Sequence, residues 1–330
     1  MSSSDRERER LAALFDIAPS RILYALSTLG VADRVPAGGI PLDELAAALG
    51  ADPGRLARLV LAAQTLDVVR VGPDRVVHLT EAGLLLRSDR PGSLRAEFSD
   101  NSLFTAWGPF AECVTTGRPA YELAHGAPVF DRIGRDPREL ATFHEHMRMR
   151  AMQLYRPLLP FLLERCAGDV MDLGGGTGGL TELLLGHSTT LKVTLTDLPE
   201  VVALVPGELA RRHPGRVATV AADLREGVPE GYGTYVLGSV LHDWPDEQAL
   251  RILTGCARAM GPDSELILLE RVLDETGPDA RRMGDIWMMA MTGGQERTAS
   301  QWAALAAAAG LALREVHHGD GELSAVVLGR

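Results

Sequence analysis

Lysine is almost missing from this chain. Of its 33 basic residues only Lys192 is a lysine, and the acidic residues outnumber the basic ones, giving a formal net charge of −11. A phosphate backbone or an anionic membrane needs a positive footprint, so this balance argues against nucleic acid and membrane surfaces as partners. Cysteine is scarce too: Cys113, Cys166 and Cys256 lie far apart without a C-x-x-C spacing, which argues against a disulfide framework or a zinc site and leaves them as reduced structural thiols. No run of about eighteen apolar residues is present. The opening MSSSDRERERLAAL is charged, with no apolar stretch, so neither a membrane span nor a secretory signal is expected and the expected location is the cytoplasm.

What remains is a chain of 330 residues, 46% hydrophobic, long enough for two domains and a sizeable core. Apolar positions over 8–35 recur at helical spacing. LDELAAALGADPGRLARLVLAAQTL then predicts two short helices broken at GADPG. DVVRVGPDRVVHLTEAG adds two β-branched runs around a Gly-Pro-Asp turn, completing a winged-helix outline. That outline fits a DNA-binding regulator or a chain-pairing domain, and the acidic balance favours pairing. Residues 96–165 are mostly helical, with the turn-rich TTGRPAYELAHGAP inside them, and predict a helical linker and wall. From 169 onward, seven strand-like runs alternate with helical ones: DVMDL, LKVTLTD, RVATVAAD, TYVLGSVL, ELILLERV, LALREVHH and ELSAVVLG. Alternation of this kind predicts a mostly parallel sheet covered on both faces, with ligands at the carboxyl ends of its strands. The expected domains are therefore 1–95, 96–165 and 166–330.

After the first of these runs, Gly174, Gly176 and Gly179 satisfy G-x-G-x-x-G, a pattern that can cradle a dinucleotide or another adenosine-containing molecule. Asp172, just before the loop, is a poor neighbour for a pyrophosphate and a good one for the cationic S-adenosylmethionine. Asp197 ends the second run and suits a ribose diol, as it would in a nicotinamide enzyme. Asp223 ends the third and can face an adenine amino group. Each acid can instead cap a helix, but three on successive strand ends favour the methyl donor.

With HDWPDEQALRIL at 242–253 and GGQERT at 293–298 added, the chain resembles the small-molecule O-methyltransferases of the caffeate and hydroxyindole type, including their bacterial natural-product relatives. DLGGGTGG, DLP, AAD, LHDWPDE, ILLERVL and GGQERT stand in that family's order, and the likeness covers nearly the whole chain. It implies a winged-helix dimerisation domain followed by a Rossmann-like catalytic domain, a homodimer, and S-adenosylmethionine as cofactor with S-adenosylhomocysteine as product. By resemblance, Gly174, Gly175 and Gly176 approach the cofactor beside Asp172, Asp197 and Leu198 hold its ribose, and Asp223 and Leu224 line its adenine. His242 is then the general base, flanked by Glu270 and Glu296. MGDIWMMAMTGG matches the pocket helix, making Trp287, Met288 and Met291 wall candidates together with Trp107, Phe143, Met147 and Asp243. Gly238 stands where relatives often carry a side chain reaching the cofactor, and Ala151 where a small hydroxyl residue is common. Arg148 or Arg150 is the candidate for the methionine carboxylate. A metal at His144 and His146 is not expected, since helix positions two apart face differently.

The chemistry suits these residues. A phenol with a pKa near 10 is mostly protonated at neutral pH, and a histidine with an ordinary pKa near 6.5 is neutral enough there to take its proton. The expected reaction is methyl transfer to a hydroxyl of an aromatic secondary metabolite. The alternatives on the same fold are carbon or nitrogen methylation, or hydroxylation or cyclisation without methyl transfer.

Overall fold

Gly50, at φ +61°, stops the helix Leu42–Leu49, and Asp52 starts the next, Pro53–Gln64, by accepting the Arg55 N–H on its side chain. These two helices and the pair before them, Ser3–Leu14 and Ala18–Leu29, belong to the first of two compact units, 1–104 and 105–330. The structure, a computed structural model, describes residues 3–90 and 92–330; Met1 and Ser2 of the charged opening stretch, and Pro91, lie outside the described residues. In the first unit β1 (Ile40–Pro41), β2 (Val69–Val71) and β3 (Val76–Leu79) form a small antiparallel sheet in the order β1-β3-β2. Leu45, Leu56, Val60 and Val77 form its buried centre, whereas Leu11, Leu14, Phe15 and Ile17 keep their side chains exposed.

The second unit opens with short helices and the long Pro137–Leu154, capped by Asp136. Its main strands are β4 (Asp169–Leu173), β5 (Lys192–Asp197), β6 (Val217–Ala221), β7 (Thr234–Gly238) and β8 (Glu265–Glu270). A two-residue parallel pair, β9 (Val272–Leu273) and β10 (Arg297–Thr298), ties the end of β8 to the GGQERT segment. β11 (Ala312–His318) and β12 (Ser324–Gly329) complete a seven-stranded sheet in the order β11-β12-β8-β7-β4-β5-β6. All seven expected runs are strands of this sheet, and it is parallel except for β12, which inserts antiparallel between β8 and β11.

Alternation along each strand fixes which side chain meets which layer. Met171, Leu173, Tyr235, Leu237, Leu266 and Leu268 point into one core with Ile252, Leu253 and Trp302. Val170, Val236, Ile267 and Leu269 point into the other with Tyr155, Leu158, Leu180 and Leu184. The chain runs outward from β4 through β5 to β6 and returns to β7 on the other side of β4, so the sheet order reverses between β4 and β7. A crevice opens at such a reversal, beyond the strand ends. No described helix is long and apolar enough to cross a membrane.

Candidate active site

The glycine loop lies on this crevice. Gly174 and Gly176 sit at φ +65° and +57°, and a Cβ on Gly174 would meet Val240 Cγ2 at 2.8 Å and Leu224 Cδ1 at 3.6 Å, so backbone alone fits between them. Asp197, at the end of β5, accepts the N–H groups of Gly176 and Leu198 at 2.8 Å each. Burial nevertheless raises its pKa, those two bonds opposing. His144, on the helix Pro137–Leu154, reaches over the loop to within 3.8 Å of where a Gly176 Cβ would be. Burial lowers its pKa, with Asp197 and Glu200 pulling the other way.

Asp172 does not face the space above the loop. Alternation turns it into the layer of the helix Gly179–His187, where it is 1% exposed and accepts the Thr181 hydroxyl at 2.7 Å. A Cβ on Gly175 would press on its carboxylate at 2.7 Å, so Asp172 underpins the loop. Burial lifts its pKa to about 6, against the Thr181 hydroxyl. Asp223 also departs from expectation: Arg225 holds its carboxylate with three contacts between 2.6 and 3.2 Å, and that guanidinium lies 5.2 Å from the Trp244 ring. Leu224, not the Asp223 carboxylate, therefore closes on Gly174.

Two further expectations meet different surroundings. Gly238 faces no open slot, because its missing side chain is replaced by Tyr155 from the Pro137–Leu154 region, whose hydroxyl would lie 2.7 Å from a Gly238 Cβ. Of the two candidates for the methionine carboxylate, Arg148 is engaged with Glu145 and Glu182 at 2.8 and 2.6 Å, whereas Arg150 is exposed. Asp246, the first residue of the helix Asp246–Ala259, accepts the Gln295 amide at 2.6 Å and Arg297 Nε at 2.9 Å. Ala151 abuts Gly179, where a Cβ would come within 2.9 Å of its own, so the two helices cross closely there.

His242 sits in the turn Leu241–Asp243 after β7, reached through Ser239 at φ +52°. The turn is held from two sides. Glu270, ending β8, accepts the N–H groups of Val240 and Leu241 at 3.2 and 2.9 Å on one oxygen. From the GGQERT segment, Gln295 N–H donates to the His242 carbonyl at 2.9 Å, and Gly294 lies so close to that carbonyl that no Cβ fits. Arg297, fully buried, donates to the carbonyls of Leu241 and Trp244 and stacks over Trp302 at 4.9 Å.

The imidazole Nδ1 lies 3.1 Å from Glu296 Oε1 and 3.5 Å from Glu270 Oε2, while Nε2 faces Asp243 at 4.0 Å. Burial by itself would lower the His242 pKa, but Glu270, Asp243 and Glu296 outweigh it and raise it to about 9. The expectation of a neutral imidazole at neutral pH is therefore corrected: three carboxylates converge on it. Burial likewise pushes Glu270 up, and pushes Asp243 up to about 6. Glu296 is held below its ordinary value, because His242 and Arg271 overcome its burial. Among the described residues, one oxygen of Glu270 and one of Glu296 have no hydrogen-bond partner, so these two buried carboxylates and the imidazole share their protons as one cluster. Arg271 was not visible as a site residue in the sequence. Its NH1 donates to the same Glu296 Oε1 at 3.2 Å, bringing to this spot the charge that a cation would bring.

Of the expected wall residues, Trp107 and Trp287 meet at 5.6 Å between ring centroids, with Trp287 partly exposed. Phe143 packs edge-on against Phe130 and against His144, Met147 and Met288 are half-buried, and Met291 is buried.

The chain matches the O-methyltransferase domain model over residues 107–312. It is 33% identical to the 8-amino-8-demethylriboflavin N,N-dimethyltransferase of Streptomyces davaonensis, over 92% of this chain and 89% of that one. It is also 33% identical to the 2,7-dihydroxy-5-methyl-1-naphthoate 7-O-methyltransferase of Streptomyces carzinostaticus, over 93% of each. The crystal structure of an O-methyltransferase from neocarzinostatin biosynthesis, in complex with S-adenosylmethionine and 2-hydroxy-5-methyl naphthoic acid, superposes with a TM-score of 0.84 at 32% identity, covering 96% of this chain and 97% of that one. A glycine loop on a reversing parallel sheet, with a histidine boxed by carboxylates at the next strand end, thus has its place among known proteins: the chain belongs to the O-methyltransferase family.

Proposed function

We propose that the protein transfers a methyl group from S-adenosylmethionine to a hydroxyl of an aromatic secondary metabolite, with His242 as general base. The observation that carries this reading is the pairing of Nδ1 with Glu296 at 3.1 Å, which leaves Nε2, 4.0 Å from Asp243, as the ring nitrogen that can take a proton from an acceptor. The residues present fit the cofactor. The loop is backed by carboxylates at Asp172 and Asp197, so a cationic ligand is welcome and a pyrophosphate is not. Gly174, Gly175 and Gly176 offer bare backbone, Asp197 and Leu198 the ribose contact, and Leu224 with Val240 an apolar slot for adenine. Bound there, the cofactor supplies an electrophilic methyl group.

The remaining work falls to the chain itself. Nε2 accepts the proton of the acceptor hydroxyl, Nδ1–H stays on ionised Glu296, and Glu270 keeps the turn in place through two backbone N–H groups. Asp243, beside Nε2, is placed to take a second donor on the acceptor. Trp107, Phe143, Met147, Trp287, Met288 and Met291 are the apolar wall in this reading. Nitrogen methylation is the second reading, favoured by the dimethyltransferase relative. An amine acceptor needs the same proton removal, and the same base serves it.

The first unit carries two helices and a hairpin in winged-helix order, with Leu11, Leu14, Phe15 and Ile17 exposed together, which supports pairing of two copies through residues before about 100. Three buried free thiols are at home in the cytoplasm. Calorimetry tests the cofactor: S-adenosylmethionine or its demethylated product binds and NAD does not, and tight NAD binding with none for the methyl donor overturns the assignment. Incubation with labelled methyl donor and a library of phenols and aryl amines tests the acceptor class. Light scattering that gives a monomer at micromolar concentration rules out the dimer.

A further inference from the structure

We propose that Arg271 is a positioning residue for this reaction, one that holds Glu296 ionised and so keeps the base cluster able to release its proton. The inference rests on His242 being the base. Its footing is geometric: Arg271 NH1 and His242 Nδ1 share one oxygen, Glu296 Oε1, at 3.2 and 3.1 Å, and Arg271 NH2 reaches Glu322 at 2.6 Å. The Arg271 side chain is 11% exposed although it starts from the strand end beside Glu270. Gly284 makes this possible, since a Cβ there would crowd the Arg271 side chain at 3.3 Å. A run of alternating charges therefore leads from the surface at Glu322, through Arg271 and Glu296, to the imidazole.

Two buried carboxylates against one imidazole nitrogen would otherwise leave the location of the proton open. Of the two carboxylates beside the imidazole, Arg271 contacts Glu296 and not Glu270, so its charge favours the anion on Glu296. Its positive charge also opposes protonation of the whole cluster. The other charged groups around the cluster are Asp243 in the turn, Asp285, which accepts the Glu296 N–H at 3.0 Å, and Arg297 with Asp246 beneath the turn. The buried Tyr155 phenol, raised by burial, adds none at neutral pH. Among the described residues no other arginine or lysine contacts either carboxylate beside the imidazole, so removing Arg271 removes the arginine contact from the cluster. Whichever member then takes the proton, the cluster binds it more tightly.

The test is a pH–rate profile at saturating cofactor for wild type, Arg271→Gln, Arg271→Lys and Glu322→Gln, together with NMR titration of the His242 ring in the first three proteins and a His242→Ala control. Arg271→Gln is expected to move the acid limb of kcat/KM, and the His242 titration, upward by about one unit, while the high-pH plateau stays near wild type. Arg271→Lys restores both, and Glu322→Gln leaves the limb in place. A uniform loss of rate with an unmoved limb and an unmoved ring titration overturns the proposal, because a purely structural arginine would behave that way. If the ring titration moves but His242→Ala retains wild-type turnover, it is the base assignment that falls, and the catalytic role of Arg271 falls with it.

Discussion

The hydroxyl of Tyr155 stands in the space that a side chain on Gly238 would need: a Cβ there would lie 2.7 Å from the hydroxyl oxygen and 2.8 Å from Cζ. The same hydroxyl bonds Ser239, the residue that turns the chain out of β7 at φ +52°. The departure at Gly238 is thus compensated from another element, and the phenol supports the turn that carries His242. Gly238→Ala should cost about 1–3 kcal/mol of stability through overpacking. Tyr155→Phe should not relieve it, because Cζ remains. A thermal melt of the two single variants and the double variant checks this; recovery in the double variant contradicts the packing account.

His242→Ala should lower turnover by roughly a hundred- to ten-thousand-fold while the affinity for S-adenosylmethionine, measured by calorimetry, changes little. Near wild-type turnover would mean the acceptor ionises without help.

The pKa of His242, raised to about 9, makes the base form the minority at neutral pH. The sign follows: kcat/KM should climb about tenfold per unit as pH rises and level off near 9. A profile already flat at pH 7 would show that the ligands, once bound, push the imidazole back down.

Glu296 is expected to matter more than Glu270. Glu296→Gln strips the anion from both His242 and Arg271, whereas Glu270→Gln keeps a carbonyl oxygen for the N–H groups of Val240 and Leu241. A loss of about tenfold or more for the first and less for the second is the expected order in turnover at fixed high pH. The reverse order would transfer the orienting role to Glu270.

Asp172 gives a stability test. Its folded pKa, raised to about 6, lies above the unfolded carboxylate value, so its ionisation weakens the fold as pH climbs through that window and costs nothing below about pH 4. Asp172→Asn, which keeps an acceptor for Thr181, should stabilise the ligand-free protein at pH 7 by up to about 3 kcal/mol. The gain should vanish in acid melts. Weaker binding of the methyl donor by the same variant would mean the charge is kept for the ligand.

Much of this was legible because strand alternation is simple. The seven apolar runs of 169–329 became strands, and the period of two explains why Glu270 ends on one face of the sheet and Gly238 on the other. The same period, applied strictly, places Asp172 in the helix layer beneath the loop, which reasoning from proximity in sequence missed. Arg271 and Tyr155 were hidden for a different reason. Each acts through a partner far along the chain, Glu296 for one and Gly238 for the other, and no local spacing announces such a meeting. The Asp223–Arg225 pair was open to view two residues apart, but a carboxylate at a strand end drew attention to ligands before neighbours.

The reversed strand has a bearing on how the protein is made. β8 carries Glu270 at its end, and Ser324 of β12 lies opposite that residue in the register. Until residues 271–323 have been synthesised and β12 has followed, one flank of β8 offers unpaired N–H and C=O groups along an apolar ELILLE stretch. A nascent chain therefore exposes an adhesive edge during translation, at the strand that will brace the histidine turn. Ribosome stalling within that interval should leave chains prone to sticking to one another, and a chaperone that covers sheet edges should raise the yield of active protein.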